Sequence, residues 1–285
     1  MSPQRIWLHP GAAGGIAAVD TPPQTPDTNF TMKKAPFDLS GRVALVTGGN
    51  KGLGAAMARG LAEAGADLFL ASRNEGELKS SLADILAATG RKGGYAVADV
   101  SVRSDIDKLA KTALDAMGRI DILINNAGMN SPQAIDAITD ETWDRILEVN
   151  LSSIMALTRA IAPGMKERRW GRIIHISSIM GEVSKEKRNA YSATKSAVRG
   201  LARASAIDLG PFGITVNCIA PGPFTTDMPM SILSDAEKKA FSDRTALGRW
   251  GDPTELVGPV VMLCSDSGSY VTGQTLFVDG GYTAR

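Results

Sequence analysis

The chain alternates short, continuously apolar runs with longer stretches in which apolar residues recur every three or four positions. From residue 42 onward the runs are "RVALVTG", "DLFLAS", "GGYAVADV", "IDILINNAG", "GRIIHISS", "ITVNCIAPG" and "GQTLFVDGG". Between them the longer period predicts helices over 53–64, 75–89, 103–117, 140–165 and 190–209. The runs are rich in β-branched residues and do not alternate with polar ones, so both faces of each strand must be covered. Strand and helix in regular succession therefore predict an α/β fold: a doubly wound parallel sheet, Rossmann-like, in a single domain. Ligands of such sheets bind beyond the carboxyl ends of the strands. That rule selects residues 47–54, Ser72 and Arg73, Asp99, 125–128, 177–181 and 221–226.

The first thirty-odd residues break this pattern. "GAAGGIAAVDTPPQTPDTNFTMKKAPF" has no sustained period and is rich in Gly, Pro, Thr and Ala, so residues 1–36 are expected to be a flexible extension ahead of a domain over 37–285. Met32 opens "MKKAPFDLSGRVALVTGG", which looks like an ordinary start, and residues 1–31, His9 among them, are expected to take no part in chemistry. A single Arg5 followed by a segment broken at Pro10, Gly11, Gly14 and Gly15 does not read as a signal peptide.

Length and a hydrophobic fraction of 44% over 285 residues suffice for one large core. There is no apolar run of about eighteen residues, so no membrane span is expected. Thirty-one basic against thirty acidic residues give a formal charge of +1, which favours neither nucleic acid nor an anionic membrane and leaves a small molecule as the expected partner. Cys218 and Cys264 form no CxxC or zinc-like pattern. They read as buried small hydrophobes in a reducing, cytoplasmic compartment, with no metal site.

After the first run comes "TGGNKGLG", a glycine-rich turn leading into a helix. Glycines let the backbone approach a pyrophosphate, whose charge the helix N-terminal amides stabilise. The spacing is not GxGxxG, and a glycine turn alone carries little information; its place between a strand and a helix gives it weight. About twenty residues on, where a carboxylate would receive the ribose hydroxyls of NAD, the second strand ends in Ser72 and Arg73. A carboxylate would repel a 2'-phosphate, whereas the Arg73 guanidinium offers it a planar fork of donors. Ser72 adds a neutral hydroxyl and Lys51 a second positive charge, so NADP(H) is expected over NAD(H); the bland reading of Arg73 is a solvated surface residue.

"YSATK" places Tyr191 and Lys195 four apart on a predicted helix, hence on one face. A phenol of pKa about 10 is a poor base at neutral pH, and a neighbouring ammonium would lower that value. Ser178, at the end of "RIIHISS", can reach the same region and donate to a substrate oxygen. TGxxxGxG at 47–54, NNAG at 125–128, Asn150, Ser178, YxxxK and "PGPFTT" occur in this order. In that ordered set the chain resembles a classical short-chain dehydrogenase/reductase from about Asp38 to its end. The resemblance implies that the domain over 37–285 binds a dinucleotide and is catalytic. It implies Tyr191 as general acid/base, Lys195 as the group that lowers its pKa and holds the nicotinamide ribose, and Ser178 as the residue orienting a carbonyl or alcohol. Asn150 would position a water in a proton relay to Lys195. Gly48, Asn50, Lys51, Gly52, Leu53 and Gly54 would hold the phosphates, Asp99 and Val100 the adenine, Asn126, Ala127 and Gly128 the length of the cofactor, and Pro221, Gly222 and Thr226 the nicotinamide. The resemblance also implies a homotetramer built through the helices of Asn150 and Tyr191 and the C-terminal strand.

Other residues read more plainly. Ser177 should face away from Ser178. His175 alternates with apolar neighbours, as a satisfied core or interface histidine does. Asp279 in "VDGG" reads as structural. A binding protein that senses NADP without turnover would keep the glycine loop and Arg73 but would have no use for Ser178, Tyr191 and Lys195 together.

Substrate is less legible. Members of the family that the chain resembles include 3-oxoacyl thioester reductases and sugar-acid dehydrogenases such as gluconate 5-dehydrogenase. Residues 229–250 should form a helical lid in which Met230, Ile232 and Leu233 line a pocket or merely pack. "IMGEVSKEKRNA", between Ser178 and Tyr191, is either a solvated loop or an anion-recognition site using Lys185, Lys187 or Arg188. Acyl-carrier-protein reductases resembling this chain present arginines to an acidic carrier; Arg169 and Arg172 could serve, but Phe212 stands where a second such arginine is expected. "ISSIMGEVS" and "GRWGDPTEL" resemble gluconate 5-dehydrogenase-like members, with Glu182 available to a polyol hydroxyl.

Overall fold

Strand β1 (Val43–Thr47) is buried along its whole length, as an apolar run without alternation requires. Its side chains divide by parity: Val43 and Leu45 enter one core, Ala44 and Val46 the other. A computed structural model describes residues 35–226, 230–231 and 233–285; the extension read over 1–36 lies outside the described residues except for its last two. After β1 the chain runs through α1 (Gly52–Glu63), β2 (Asp67–Ser72), α2 (Glu75–Thr89), β3 (Gly93–Val97), α3 (Arg103–Met117) and β4 (Ile122–Asn125). It continues with α4 (Asp140–Leu147), α5 (Ser153–Arg168), β5 (Gly171–Ile176), α6 (Asn189–Leu209), β6 (Ile214–Pro221), α7 (Asp235–Arg244), α8 (Val257–Cys264) and β7 (Thr275–Val278).

All seven strands lie in one parallel sheet in the order β3-β2-β1-β4-β5-β6-β7. The expected doubly wound sheet is thus present. Residues of α3, α5 and α6 form the core on one face, and residues of α1, α2 and α8 that on the other. Strand order reverses between β1 and β4, which are in register at Val46 and Ile124. Beyond that pair the connections leave to opposite faces and open a crevice.

Two elements differ from the periodic reading. The single helix expected over 140–165 is α4, a π-helical turn at Glu148–Ser152, and α5. Asn150 sits in that turn, fully buried, and π-turns inside helices frequently mark functional sites. Helix α8, "VGPVVMLC", has no counterpart in the periodic reading, because it is apolar with no polar stripe and its fit between β-sheet and α1 is a tertiary matter.

Buried polar groups hold both ends of the sheet. At the amino end, Asp121 accepts from the Val43 amide at 3.1 Å and from Arg119 Nε at 3.0 Å, with Arg168 Nε 3.5 Å away, so its buried carboxylate is paired. Within β5, His175 is fully buried; Asn125 Nδ2 donates to its Nδ1 at 3.0 Å, and its Nε2 has no partner among the described residues. It is a core histidine, satisfied at one nitrogen. Cys218 and Cys264 are buried, and burial pushes both thiols up to about 12.

Burial, with the Lys195 charge adding to it, pushes the His175 imidazolium down to about 3. The unfolded imidazole takes up a proton below pH about 6.5, whereas the folded one refuses it until far lower, so stability is lost as pH falls through that window. Between pH 6.5 and 4.5 this group alone should remove about 2–3 kcal/mol. Urea unfolding across that range should show the loss in the wild type and a shallower one in His175→Gln; identical pH profiles would refute it.

Candidate functional site

The crevice begins where β1 ends. Gly48 adopts φ +65°, open to glycine and strained for other residues, and a Cβ on Gly54 would lie 1.9 Å from the Gly48 carbonyl oxygen. The loop thus closes more tightly than side chains permit. Thr47 Oγ1 accepts from the amides of Asn126 at 3.0 Å and Ala127 at 3.1 Å, while Asn126 Nδ2 donates to the carbonyls of Thr47 at 2.9 Å and Gly48 at 3.2 Å. Asn126 and Ala127 therefore lock the end of β4 to the glycine loop. Lys51 stands in extended conformation at the N-cap of α1 and supplies no capping side chain, and the first turn carries no acidic residue. The leading amides, beginning near Gly52 and Leu53, are left for another acceptor.

Glu77, in the first turn of α2, was not singled out by the sequence. It accepts from Asn50 Nδ2 and, at 3.2 Å, from Lys51 Nζ. The cation expected to serve a phosphate thus has a carboxylate partner. Arg73 differs: its side chain is 71% exposed, and its ion pair with Asp99 spans 4.0 Å. Asp99 is held by Ser101, whose amide and hydroxyl donate to Oδ1 at 2.9 and 2.7 Å, and Val100 lies half-buried between them. Ser72 Oγ turns toward the Asn74 backbone.

On the other side of the crevice, Ser178 follows β5 in extended conformation and accepts from the Met180 amide at 3.1 Å. Its hydroxyl favours the ionised form of the Tyr191 phenol. Ser177 faces away and donates to the Lys195 carbonyl at 2.8 Å. One turn of α6 separates Tyr191 from Lys195, whose Nζ lies 5.6 Å from the phenol ring centroid and donates to the Ile176 carbonyl at 2.8 Å. Burial pushes the Lys195 ammonium down to about 8. Burial also raises the Tyr191 phenol, against the Ser178 hydroxyl and the Arg188 charge, which lower it.

Asn150 commits its amide to the neighbouring chain: Oδ1 accepts from the Met129 amide at 2.8 Å, and Nδ2 donates to the Met129 carbonyl at 2.9 Å and to Thr194 Oγ1 at 3.2 Å. It ties the segment after Gly128 to the turn of α6 that carries Lys195. A Cβ on Gly128 would lie 3.4 Å from Asn150 Oδ1 and 3.5 Å from Lys195 Nζ, so these three converge. Beyond β6, which ends at Pro221, the Gly222 amide donates to Val278, and Thr226 Cγ2 stands 3.5 Å from where a Gly52 Cβ would be.

Helix α7 covers part of the stretch expected as a lid. Its Phe241 meets Trp250 edge-on at 5.5 Å and Tyr282 at 6.2 Å, and joins Ile179, Met180, Val183, Tyr191 and Phe277 in one apolar cluster. Sequence motifs did not signal that Tyr282 and Phe241 pack in one cluster with Tyr191. Met230 and Leu233 are half-buried, and Ile232 lies outside the described residues. Glu182 pairs with Arg199 and so is already engaged. Arg172 is buried, with Nη1 donating to Gly171 at 2.9 Å, which removes it as a docking arginine. Asp279 accepts from Gly281 and Thr283 within its own turn. Among the described residues no group of His, Cys, Asp or Glu is placed to hold a metal ion, and no helix is long and apolar enough to cross a membrane.

Known proteins resemble this chain in sequence and in fold. A family profile described as Enoyl-(Acyl carrier protein) reductase matches residues 48–283. Gluconate 5-dehydrogenase of Gluconobacter oxydans is 40% identical over 252 residues, 87% of this chain and 96% of that protein. The 3-oxoacyl-(acyl-carrier-protein) reductase FabG of Vibrio harveyi is 36% identical over 245 residues, 86% and 98% of the two chains. Among solved structures, a gluconate 5-dehydrogenase from Burkholderia cenocepacia in complex with NADP and tartrate superposes with a TM-score of 0.83 at 37% identity, covering 88% of this chain and 98% of that one. With matches of this extent, joined to a parallel sheet whose crevice gathers Gly128, Asn150, Ser178, Tyr191 and Lys195, the chain belongs to the short-chain dehydrogenase/reductase family of oxidoreductases.

Proposed function

We propose that the protein interconverts a ketone and a secondary alcohol with NADP(H), and that Tyr191, Ser178, Lys195 and Asn150 are its working residues. The observation that carries this reading is the placement of Tyr191 one helical turn from Lys195, whose buried Nζ lies 5.6 Å from the phenol ring centroid and donates to the carbonyl of Ile176, at the end of the strand that leads to Ser178. A phenol raised above its ordinary value holds its proton at neutral pH and can give it to a carbonyl oxygen that accepts alongside Ser178. In the reverse direction Tyr191 takes the alcohol proton, and Lys195 stabilises the phenolate. Asn150 positions Lys195 and the segment after Gly128 rather than touching substrate.

The residues fit a dinucleotide. Gly48 and Gly54 leave no room for side chains at the loop, and the uncapped start of α1 offers amides to a pyrophosphate through Gly52 and Leu53. Arg73, with Ser72 beside it, would hold the 2'-phosphate; Lys51 and Asn50, tied to Glu77, would border it. Asp99 and Val100 would meet the adenine, Asn126, Ala127 and Gly128 would line the middle, and Pro221, Gly222 and Thr226 would flank the nicotinamide. NADP(H), when bound, supplies or accepts the hydride at its nicotinamide ring.

The relatives act on both 3-oxoacyl thioesters and sugar acids, and the groups described so far serve either. NADPH oxidation with an acetoacetyl thioester and NADP+ reduction by D-gluconate test the two branches. In whichever is active, Tyr191→Phe should cut turnover by about a thousandfold while cofactor binding persists; unchanged turnover would refute the assignment. Arg73→Ala should reduce kcat/KM for NADPH by about 10–100-fold and erase its preference over NADH; a preference surviving intact would mean Arg73 holds no phosphate. We further propose a cytoplasmic homotetramer. Ile207 on α6 and Tyr270 ahead of the edge strand β7 are exposed apolar groups on the elements expected to pair, and a monomeric mass by light scattering would contradict it.

A further inference from the structure

The charged segment between Ser178 and Tyr191 carries three cations with different surroundings. Lys185 Nζ lies 5.0 Å from the Phe241 ring centroid, against the lid helix. Lys187 is exposed and adopts φ +61°, and its carbonyl accepts from the Gln133 amide at 3.1 Å. Arg188, three residues before Tyr191, is half-buried; its Nη1 is sealed from solvent with no hydrogen-bond partner among the described residues, and no carboxylate there pairs with it. A buried guanidinium N–H with nothing to donate to is unfavourable, and native chains retain such groups where something outside the chain completes them.

Two further orphaned atoms accompany it. Gln133 pairs with Arg188 in a parallel bridge, Asn189 Nδ2 donates to the Gln133 carbonyl at 3.1 Å, and Gln133 Oε1 is buried without a partner. Asn130 Oδ1 is likewise buried and unpartnered, one residue after the Met129 backbone that Asn150 grips. Seven such side-chain atoms occur among the described residues, and three of them fall on these two adjoining segments. Arg188 is the N-cap of α6 and Tyr191 lies in the first turn of that helix, so the cluster adjoins the reacting position.

We propose that Arg188 binds a carboxylate of the substrate while Asn130 and Gln133 accept from its hydroxyl groups, so that the enzyme acts on small hydroxy- or oxo-carboxylic acids. The donor set dictates that chemistry. A guanidinium fork matches a carboxylate. Two amide oxygens need donors, which a carboxylate lacks and a hydroxylated chain supplies. Glu182, engaged by Arg199, does not compete for the cation. A thioester on a carrier would leave Arg188 uncompensated. This substrate class rests on Tyr191 being the proton-transfer group.

The test compares each acid with the neutral alcohol in which the carboxylate is replaced by hydroxymethyl: D-gluconate with D-sorbitol, and 3-hydroxybutyrate with 1,3-butanediol. With NADP+ present, at least one acid at millimolar concentration should raise the Tm of the wild-type protein by about 3 °C or more, and neither neutral partner should. Arg188→Gln should lose that rise and Arg188→Lys keep part of it. In turnover, the ratio of kcat/KM for the acid over its neutral partner should fall by about 10–100-fold in Arg188→Gln, mostly through KM. Equal shifts from acid and alcohol, no shift from either acid, or an Arg188→Gln variant that still prefers the acid would each overturn the proposal. An acid-specific Tm shift without turnover of any acid, alcohol or thioester would instead sink the oxidoreductase reading and leave the anion site standing.

Discussion

A parallel sheet leaves backbone groups without ladder partners where its strands end, and in a buried crevice each must find another donor or acceptor. Here side chains do that work. Asn126 donates to the carbonyls of Thr47 and Gly48, Lys195 to that of Ile176, and Asn150 takes both backbone groups of Met129. The same bonds that satisfy strand ends also fix the glycine loop, the segment after Gly128 and the ammonium beneath Tyr191. Fold and site therefore share one set of hydrogen bonds.

Charge is distributed unevenly over that frame. Lys195 is buried, its Nζ donating to the Ile176 carbonyl, and burial depresses its ammonium to about 8. Arg188 is half-buried and has no carboxylate partner among the described residues, whereas Lys51 and Arg199 carry carboxylate partners. Desolvated cations without counter-ions are costly and concentrate at functional sites. The contrast separates cations that carboxylates of the chain hold from those without such a partner among the described residues, which net charge near zero conceals.

Above the crevice, the apolar cluster around Phe241 draws on four separate stretches: Ile179 to Val183, Tyr191, α7 and the C-terminal strand with Tyr282. Tyr191 is half-buried there, packed against residues that have no chemical role. Its acidity is consequently a property of packing as much as of the groups that bond to it.

The sequence by itself determined the layers of the fold, because strands covered on both faces show as unbroken apolar runs, and it marked Ser178, Tyr191 and Lys195 as candidates, because a strand end and one helical turn are local geometry. It also marked Arg73 by position after the second strand. Tertiary structure alone decided the rest. The π-turn at Asn150 interrupts what periodicity reads as one helix, and α8 is apolar all round and so has no stripe to detect. Glu77 meets Lys51 across 26 positions of chain, Arg172 turns inward although charged, and Gln133 meets Arg188 across a gap of 55. Contacts between distant segments depend on how the helices cross the sheet, and a residue's own neighbours in sequence carry no record of them.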